Sequence, residues 1–224
     1  MARWFLQQFQ YLVGTLLVHS FRQPYQAYLV TALARHHDEF LGKVIANGKT
    51  KRSEIDSVLH KDMGTYLQNL ESRYELINRM KPLLAKKNGK VTAYEIHDNF
   101  LRFWFRFIYP YQSLIERNLF SLLRSNIESN YEGFTGRTLE RYFQDKFMET
   151  EQFTQIGNWW DRKGENEIDL IAINEFTHTG LIAEIKRNVH KLSMSKLQEK
   201  IAILPKKDFG EYEFETIGLS LKDM

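Results

Sequence analysis

Apolar and polar positions follow a helical spacing through the first part of the chain. Residues 1–35 repeat apolar side chains at intervals of three and four, with Pro24 as the one clear break, and they predict helical structure. The segments DEFLGKVIAN, SEIDSVLH (with Ser53 as N-cap) and TYLQNLESR each place apolar residues on one side and predict three short helices.

Two strand-like stretches follow these helices. ELINRM and VTAYEIHD lie on either side of KKNGK, where Asn88-Gly89 is typical of a hairpin turn. Three helices and a two-stranded wing, over residues 36–98, have the layout of a winged helix-turn-helix. Residues 1–35 are then a separate N-terminal helical segment.

Residues 99–130 contain the most aromatic stretch, NFLRFWFRFIYPYQSLIERN. One interpretation is a stacking platform for nucleic-acid bases. The interpretation favoured by helical spacing is a set of connecting helices with a buried face. That face is expected to carry Phe100, Phe103, Trp104, Phe107 and Ile108.

The pattern changes again over residues 131–224. A helix, YEGFTGRTLERYFQDKFMET, precedes three strand patterns: FTQIGNWW, IDLIAI and GLIAEI. The helix LSMSKLQEKIAIL and the strand EFETIGLSL complete the order α-β-β-β-α-β, which predicts a three-layer α/β domain. The fold class expected for the whole chain is therefore α+β.

Composition narrows the possible functions. The 224 residues include no cysteine, which excludes disulfide scaffolds, thiolate metal sites and thiol catalysis and fits a cytoplasmic location. The apolar run YLVGTLLV is too short to span a membrane. The net charge of +3 divides into +7 for residues 1–130 (18 Lys and Arg, 11 Asp and Glu) and −4 for the remainder (13 and 17). Two modules with different electrostatic roles are expected.

The stretch GKVIANGKT only approximates a phosphate-binding loop. Five residues separate its glycines where the pattern requires four, and no apolar strand precedes it. ATP binding is not expected there.

The two central strand patterns of the second module contain charges at positions that should be buried. Asp169 lies within IDLIAI, and Glu184 and Lys186, two residues apart, lie at the end of the next strand and share a face. Buried carboxylates need a partner, and two of them together suit Mg²⁺ or Mn²⁺. Lys186 would then orient the attacking water or help to deprotonate it, and would stabilise charge on a phosphodiester.

These residues resemble the signature of the PD-(D/E)xK superfamily, which has the restriction-endonuclease-like fold. That signature has an acid on one strand, here Asp169, and (D/E)-x-K on the next, here Glu184-Ile185-Lys186. A glutamate on the preceding helix corresponds to Glu140. Ile168 stands where the superfamily often has proline. The resemblance implies that Asp169 and Glu184 hold a divalent metal, with Glu140 supporting the metal or the water.

A wider resemblance covers residues 36–224. IANGKTKRSEI, FLRFWFRFIYP and GNWWDRKGENEIDLIAI with EIKR are similar to the C-terminal half of a prokaryotic AAA-type ATPase family. Its members join a P-loop domain to a winged helix and a nuclease-like domain. Because this chain has no phosphate-binding loop, it is expected to be a truncated or stand-alone version, and a separate ATPase is a candidate partner.

The function predicted from these features is a DNA-binding, Mg²⁺- or Mn²⁺-dependent nuclease. The third helix would enter the major groove, and the wing would meet phosphate. The expected DNA contacts are Thr65, Gln68, Asn69, Arg73, Lys86, Lys87 and Lys90. Two alternatives stay open: a non-catalytic DNA- or protein-binding remnant of the ATPase, and an accessory subunit that acts only with an ATPase. Oligomeric state and strand specificity cannot be predicted.

Overall fold

The computed structural model describes residues 38–86, 89 and 91–224. Helices and strands both contribute, which confirms the α+β class. The expectations for residues 1–35, Lys87, Asn88 and Lys90 lie outside the described residues. The chain divides into two compact units: the described residues up to 78 with 95–110, and residues 79–94 with 111–224. Within the described residues, no helix combines the length and apolar character needed to cross a bilayer.

The first unit begins with three short helices, α1 (Asp38–Ala46), α2 (Arg52–Leu59) and α3 (Gly64–Ser72). Strands β1 (Ile77–Met80) and β2 (Ala93–Ile96) then form a two-stranded sheet. This is the element order expected of a winged helix-turn-helix. Its helices meet around fully or almost fully buried side chains, chiefly Leu41, Ile55, Leu67 and Leu70. The GKT of the phosphate-loop near-match lies between α1 and α2, and no strand leads into it.

The aromatic stretch continues the first unit. Helix α4 (Asn99–Phe103) starts at Asp98, whose Oδ1 accepts the Leu101 amide proton, and it passes into a π-helical turn (Trp104–Ile108) and a 3₁₀ turn (Tyr109–Tyr111). The buried apolar side chains are Leu101, Phe105, Phe107 and Ile108. Phe100, Phe103 and Trp104 are half-buried, so the expected face was wrong at these three positions. The π-helical turn has a different period from the α-helical spacing on which that face was predicted.

A close backbone approach explains one glycine of the first unit. A Cβ placed on Gly42 would lie 2.9 Å from the Phe105 ring. Glycine at this position lets α1 pack directly against the aromatic turn.

The second unit contains α5 (Gln112–Glu116) and the long helix α6 (Phe120–Met148). Strands β3 (Gln155–Trp160), β4 (Glu167–Asn174) and β5 (Thr179–Ile185) follow. Helix α7 (Met194–Ala202), a short helix α8 (Lys206–Phe209) and β6 (Glu213–Leu219) complete the order. The sheet order is β3-β4-β5-β6, antiparallel except for the parallel pair β5-β6, which α7 connects.

Each face of this sheet packs against a different layer. Leu170, Ala172, Leu181 and Ala183 meet α6 at Leu139 and Phe143. The opposite face meets α7 and α8, with Ile171, Ile173 and Ile182 around Leu197 and Phe209. Burial on both faces explains why β4 and β5 are continuous apolar runs rather than alternating ones.

The module boundary expected near residue 131 lies inside α6, which continues unbroken to Met148. Residues 111–130 cluster with the second unit, as do residues 79–94 of the wing. A hydrogen bond within the second unit explains why residues 79–94 cluster with it. The Leu83 amide donates to the Asn158 carbonyl of the edge strand β3 at 2.8 Å.

Candidate active site

A β-bulge lies between the edge strand β3 and its neighbour β4, where the charged residues of β4 begin. Gly157 pairs with Ile171 and Trp159 with Ile168, so Asn158 of β3 faces both Asp169 and Leu170. Because β4 has one extra residue here, the β4 side chains before the bulge point to the opposite face from the one that strict alternation would give them. Ile168 therefore packs in the same cluster as Ile171, three positions away. The bulge thereby also sets the direction of the Asp169 side chain.

Asp169 is almost buried, with 7% of its surface exposed. Its Oδ2 accepts two hydrogen bonds, from the Ile185 amide at 2.8 Å and from the Lys186 ammonium at 2.7 Å. The β4–β5 pairing ends at Leu170 and Ala183, so the carboxylate takes up the strand amide just beyond the paired residues. The charge inside an apolar strand is thus satisfied by one cation and one backbone donor.

Glu184 lies on the same strand as Ile185 and is 4% exposed. Its Oε2 accepts a hydrogen bond from the backbone amide of Ser193, with the nitrogen and oxygen 2.6 Å apart. Ser193 is the N-cap of α7, and its hydroxyl accepts from the Lys196 amide. The carboxylate therefore lies at the N-terminal end of α7, where the partial charge of the helix is positive.

Lys186 links the acids electrostatically, and its side chain is 34% exposed. Burial by itself would lower its pKa. The hydrogen bond and charge of Asp169, with the charges of Glu184 and Glu140, outweigh burial and raise the pKa of Lys186 above its usual value. The side chain is an ammonium at neutral pH and serves as a hydrogen-bond donor.

Glu140 reaches the same region from α6. Its Oε2 accepts from Arg137 Nη1 at 2.5 Å and from Asn158 Nδ2 at 3.5 Å. Burial raises the pKa of Glu140 to about 7, although the Arg137 charge opposes the shift; the charges of Asp169 and Glu167 add to it. Arg137 is shared, since it also approaches Glu167 Oε1 at 3.4 Å.

Sequence reasoning missed two polar residues of this network. Asn158, 4% exposed, donates to the Asp169 carbonyl at 2.6 Å and accepts from Gln144 Nε2 at 2.8 Å. An asparagine inside the apolar strand GNWW was a detectable signal, because a buried amide needs partners. Gln144 lies four residues after Glu140 and so shares its helix face.

The carboxylates have room for a further ligand. In each of Asp169, Glu184 and Glu140 one oxygen accepts from the protein, and no donor among the described residues contacts the other. The donor set is all oxygen, as Mg²⁺ and Mn²⁺ prefer. No three His, Asp or Glu side chains of the described residues converge closely enough to hold an ion together. Two carboxylates, with other positions left to water and phosphate oxygens, fit a common mode of Mg²⁺ binding.

The predicted DNA contacts lie elsewhere, on the first unit and the wing. Thr65, Gln68, Asn69 and Arg73 are all exposed along or just after α3. Lys86 is exposed too, whereas Lys87 and Lys90 lie outside the described residues. Among the described residues these positions give α3 an exposed polar side.

Comparison with known proteins gives two similarities. Residues 104–200 match the model of the DUF234 family, described as archaeal and bacterial proteins of unknown function. An uncharacterized protein of Methanocaldococcus jannaschii is 33% identical over 186 residues, covering 76% of this chain. The chain spans 41% of the length of that relative. No solved structure matches the chain. The DUF234 match includes Glu140, Asp169, Glu184 and Lys186.

Proposed function

We propose that the second unit is a divalent-metal-dependent phosphodiesterase that cleaves nucleic acid. The observation that carries this proposal is the Asp169–Lys186 contact at the β4 bulge, with Glu184 and Glu140 within electrostatic range of the same ammonium. Two strands and a helix bring these groups together from three separate parts of the sequence. If Asp169 and Lys186 were only a chance pair of charges on neighbouring strands, neither the bulge nor the buried Asn158 would be needed to position them.

Asp169 and Glu184 are the residues that would hold Mg²⁺ or Mn²⁺, through the oxygens that no described donor contacts. When bound, the ion supplies Lewis-acid activation of water and of the phosphoryl group. The two strands fix these carboxylates rigidly, so little ordering is needed when ligands arrive.

Lys186 has a narrower role than the sequence suggested. Because its pKa is raised, the ammonium does not remove a proton from water. It donates a hydrogen bond that orients the nucleophile, and its charge stabilises negative charge that develops on the phosphate. Glu140, with a pKa of about 7, is the group at this site suited to accept a proton near neutrality.

We further propose that the first unit binds DNA through α3. The exposed polar side chains of Thr65, Gln68 and Asn69, with Arg73 just beyond the helix, support this assignment. Phosphate contact by Lys86 at the wing is part of the same proposal.

A functional link to an AAA-type ATPase is also proposed. It is supported by the three sequence segments described above and by the greater length of the archaeal relative, of which this chain spans 41%. A cytoplasmic location is proposed with it and is supported by the cysteine-free composition.

The test is cleavage of supercoiled plasmid, single-stranded DNA and RNA by the purified chain in Mg²⁺, Mn²⁺ or EDTA. We expect metal-dependent cleavage that Lys186→Met abolishes. Lys222→Met, at an exposed position on the C-terminal 3₁₀ turn, is the matched control and should cleave normally. If Lys186→Met cleaves as well as the Lys222→Met control does, Lys186 is not required and the proposed site is excluded. Absence of cleavage by the unmodified chain, together with absence of metal binding, would favour the non-catalytic alternative.

A further inference from the structure

One cation next to the proposed site differs from its neighbours. Lys186, Arg137 and Lys191 each contact a carboxylate: Asp169 for the first, Glu140 and Glu167 for the second, Glu132 for the third. Arg187, which follows Lys186 directly, contacts no carboxylate among the described residues. Its Nη1 donates to the Thr135 hydroxyl, a neutral acceptor.

Arg187 is also held in a fixed orientation. Its guanidinium lies over the Tyr131 ring, 5.5 Å from the ring centre. Tyr131 and Thr135 are one turn apart on α6, so the helix supports the guanidinium along one side. Arg187 is half-buried and Tyr131 is 45% exposed. A planar, partly dehydrated guanidinium with unused N–H groups has the geometry that binds phosphate through two parallel hydrogen bonds.

The position of Arg187 relates it to the site along α6. Thr135 precedes Glu140 by five residues, a helical rise of about 7.5 Å. A backbone phosphate bound by Arg187 would therefore not be the one at the proposed point of cleavage but a neighbouring one of the same strand.

Two glycines of α6 lie close to these points. Gly136 lies one turn before Glu140 on the same face, and Gly133 lies one turn before Gly136. A Cβ added at either glycine would have no atom within 4 Å. No packing contact requires glycine at these two interior positions of α6, where glycine weakens a helix. The two glycines leave open space on α6 beside Arg187.

We propose that Arg187, braced by Tyr131 and Thr135, binds a backbone phosphate of the substrate that neighbours the one cleaved. The strand then passes over α6 at Gly133 and Gly136, and the exposed Tyr131 edge lies beside an unpaired base. The substrate class is therefore a single nucleic-acid strand rather than a mononucleotide. This inference rests on the proposed function, because it places the substrate relative to that site.

The test measures binding without cleavage. A fluorescent single-stranded thymidine oligonucleotide is titrated with the full chain in EDTA at several salt concentrations. We expect Arg187→Gln to weaken binding about ten-fold, as loss of a charge-assisted contact should. It should also make the slope of log affinity against log salt shallower by about 0.7, the value for one phosphate contact on a single strand. Arg187→Lys keeps the charge, so the slope should persist while part of the affinity is lost.

Two further variants separate binding from folding. Arg124→Gln removes a cation paired with Glu128 on the same helix and should bind as the unmodified chain does. Gly136→Ala should melt at the same or a higher temperature, because the methyl group has room, yet it should bind more weakly.

Three results would overturn the inference: no oligonucleotide binding, an unchanged salt slope in Arg187→Gln, or full affinity in Gly136→Ala. Binding that depends on Arg187 without any cleavage in Mg²⁺ would refute the proposed function but support the phosphate contact. Equal binding of single-stranded DNA and RNA would show that the contact is to the shared backbone. Stronger binding of duplex DNA through Arg187 would contradict the single-strand assignment.

Discussion

Glu140→Gln should stabilise the second unit, and the gain should depend on pH. Burial raises the pKa of Glu140 to about 7 in the folded protein, against an ordinary value of 4.5. Below about pH 4.5 the carboxyl is protonated in both folded and unfolded chains and has no effect on stability. Between 4.5 and 7 the unfolded chain ionises first, so the unfolded state is favoured as pH rises. Above 7 the full difference of about 2.5 pKa units applies, or roughly 3 kcal/mol.

Glutamine at this position does not ionise, and its carbonyl oxygen can still accept from Arg137. The variant should therefore match the unmodified chain near pH 4.5 and exceed it by up to roughly 3 kcal/mol at pH 8. At about 2–4 °C per kcal/mol for a domain of this size, the difference in Tm should reach roughly 6–12 °C. Calorimetric melting of both proteins from pH 4.5 to pH 8 measures the difference directly.

The control is Glu132→Gln on the same helix. Glu132 is fully exposed, and the hydrogen bond and charge of Lys191 lower its pKa, so its substitution should give no gain at high pH. A Tm difference for Glu140→Gln that does not grow with pH would refute the buried, partly protonated state of Glu140. A gain that shrinks when Mg²⁺ is added would show that a cation at the site lowers the pKa of Glu140 again.

Three other predictions follow from the same geometry. Asp169→Asn should abolish the rise in Tm that Mn²⁺ or Mg²⁺ is expected to produce in the unmodified chain by binding the folded state, and a rise that persists in a scanning-fluorimetry titration would exclude Asp169 as a ligand. Asn158→Leu should cost about 1–3 kcal/mol in urea unfolding, since the Asp169 carbonyl and Gln144 lose their buried partner; an unchanged midpoint would mean water replaces it. Leu197→Ala, at a fully buried position on α7, should cost about 2–5 kcal/mol, and a smaller loss in the same assay would indicate that the cluster collapses around the gap.

The sequence allowed the order of elements in the second unit to be predicted, because burial on both sheet faces leaves continuous apolar runs at β4 and β5. Contact between Asp169 and Lys186 was also foreseeable from strand pairing. The bulge was not, since one extra residue opposite Asn158 leaves no mark in an apolar pattern. The pKa of Glu140 was equally hidden, because it depends on burial by residues far away in sequence.

The start of α6 shows a different limit. Helical spacing predicted a helix from residue 131, with an inward face of Leu139, Tyr142, Phe143 and Phe147. The structure extends this helix back to Phe120, through a segment whose side chains are mostly polar or exposed. Only Leu123 and Ile127, one turn apart, are buried in this segment, so its apolar stripe is too narrow to stand out in the sequence. The prediction therefore divided at residue 131 a helix that belongs to one unit.

The charged groups of the proposed site lower the stability of the folded chain, and this cost bears on the function of the site. Asp169, Glu184 and Glu140 are gathered around one ammonium, and the effect of Asp169 on Glu140 is repulsive. A chain selected only for stability would replace such a group, since buried ionic networks are commonly weaker than apolar packing. A divalent cation at Asp169 and Glu184 would offset the repulsion, lower the pKa of Glu140 and add folding free energy with the same contact. The arrangement that makes the folded chain less stable without a cation is thus the arrangement that a cation-dependent phosphodiesterase requires.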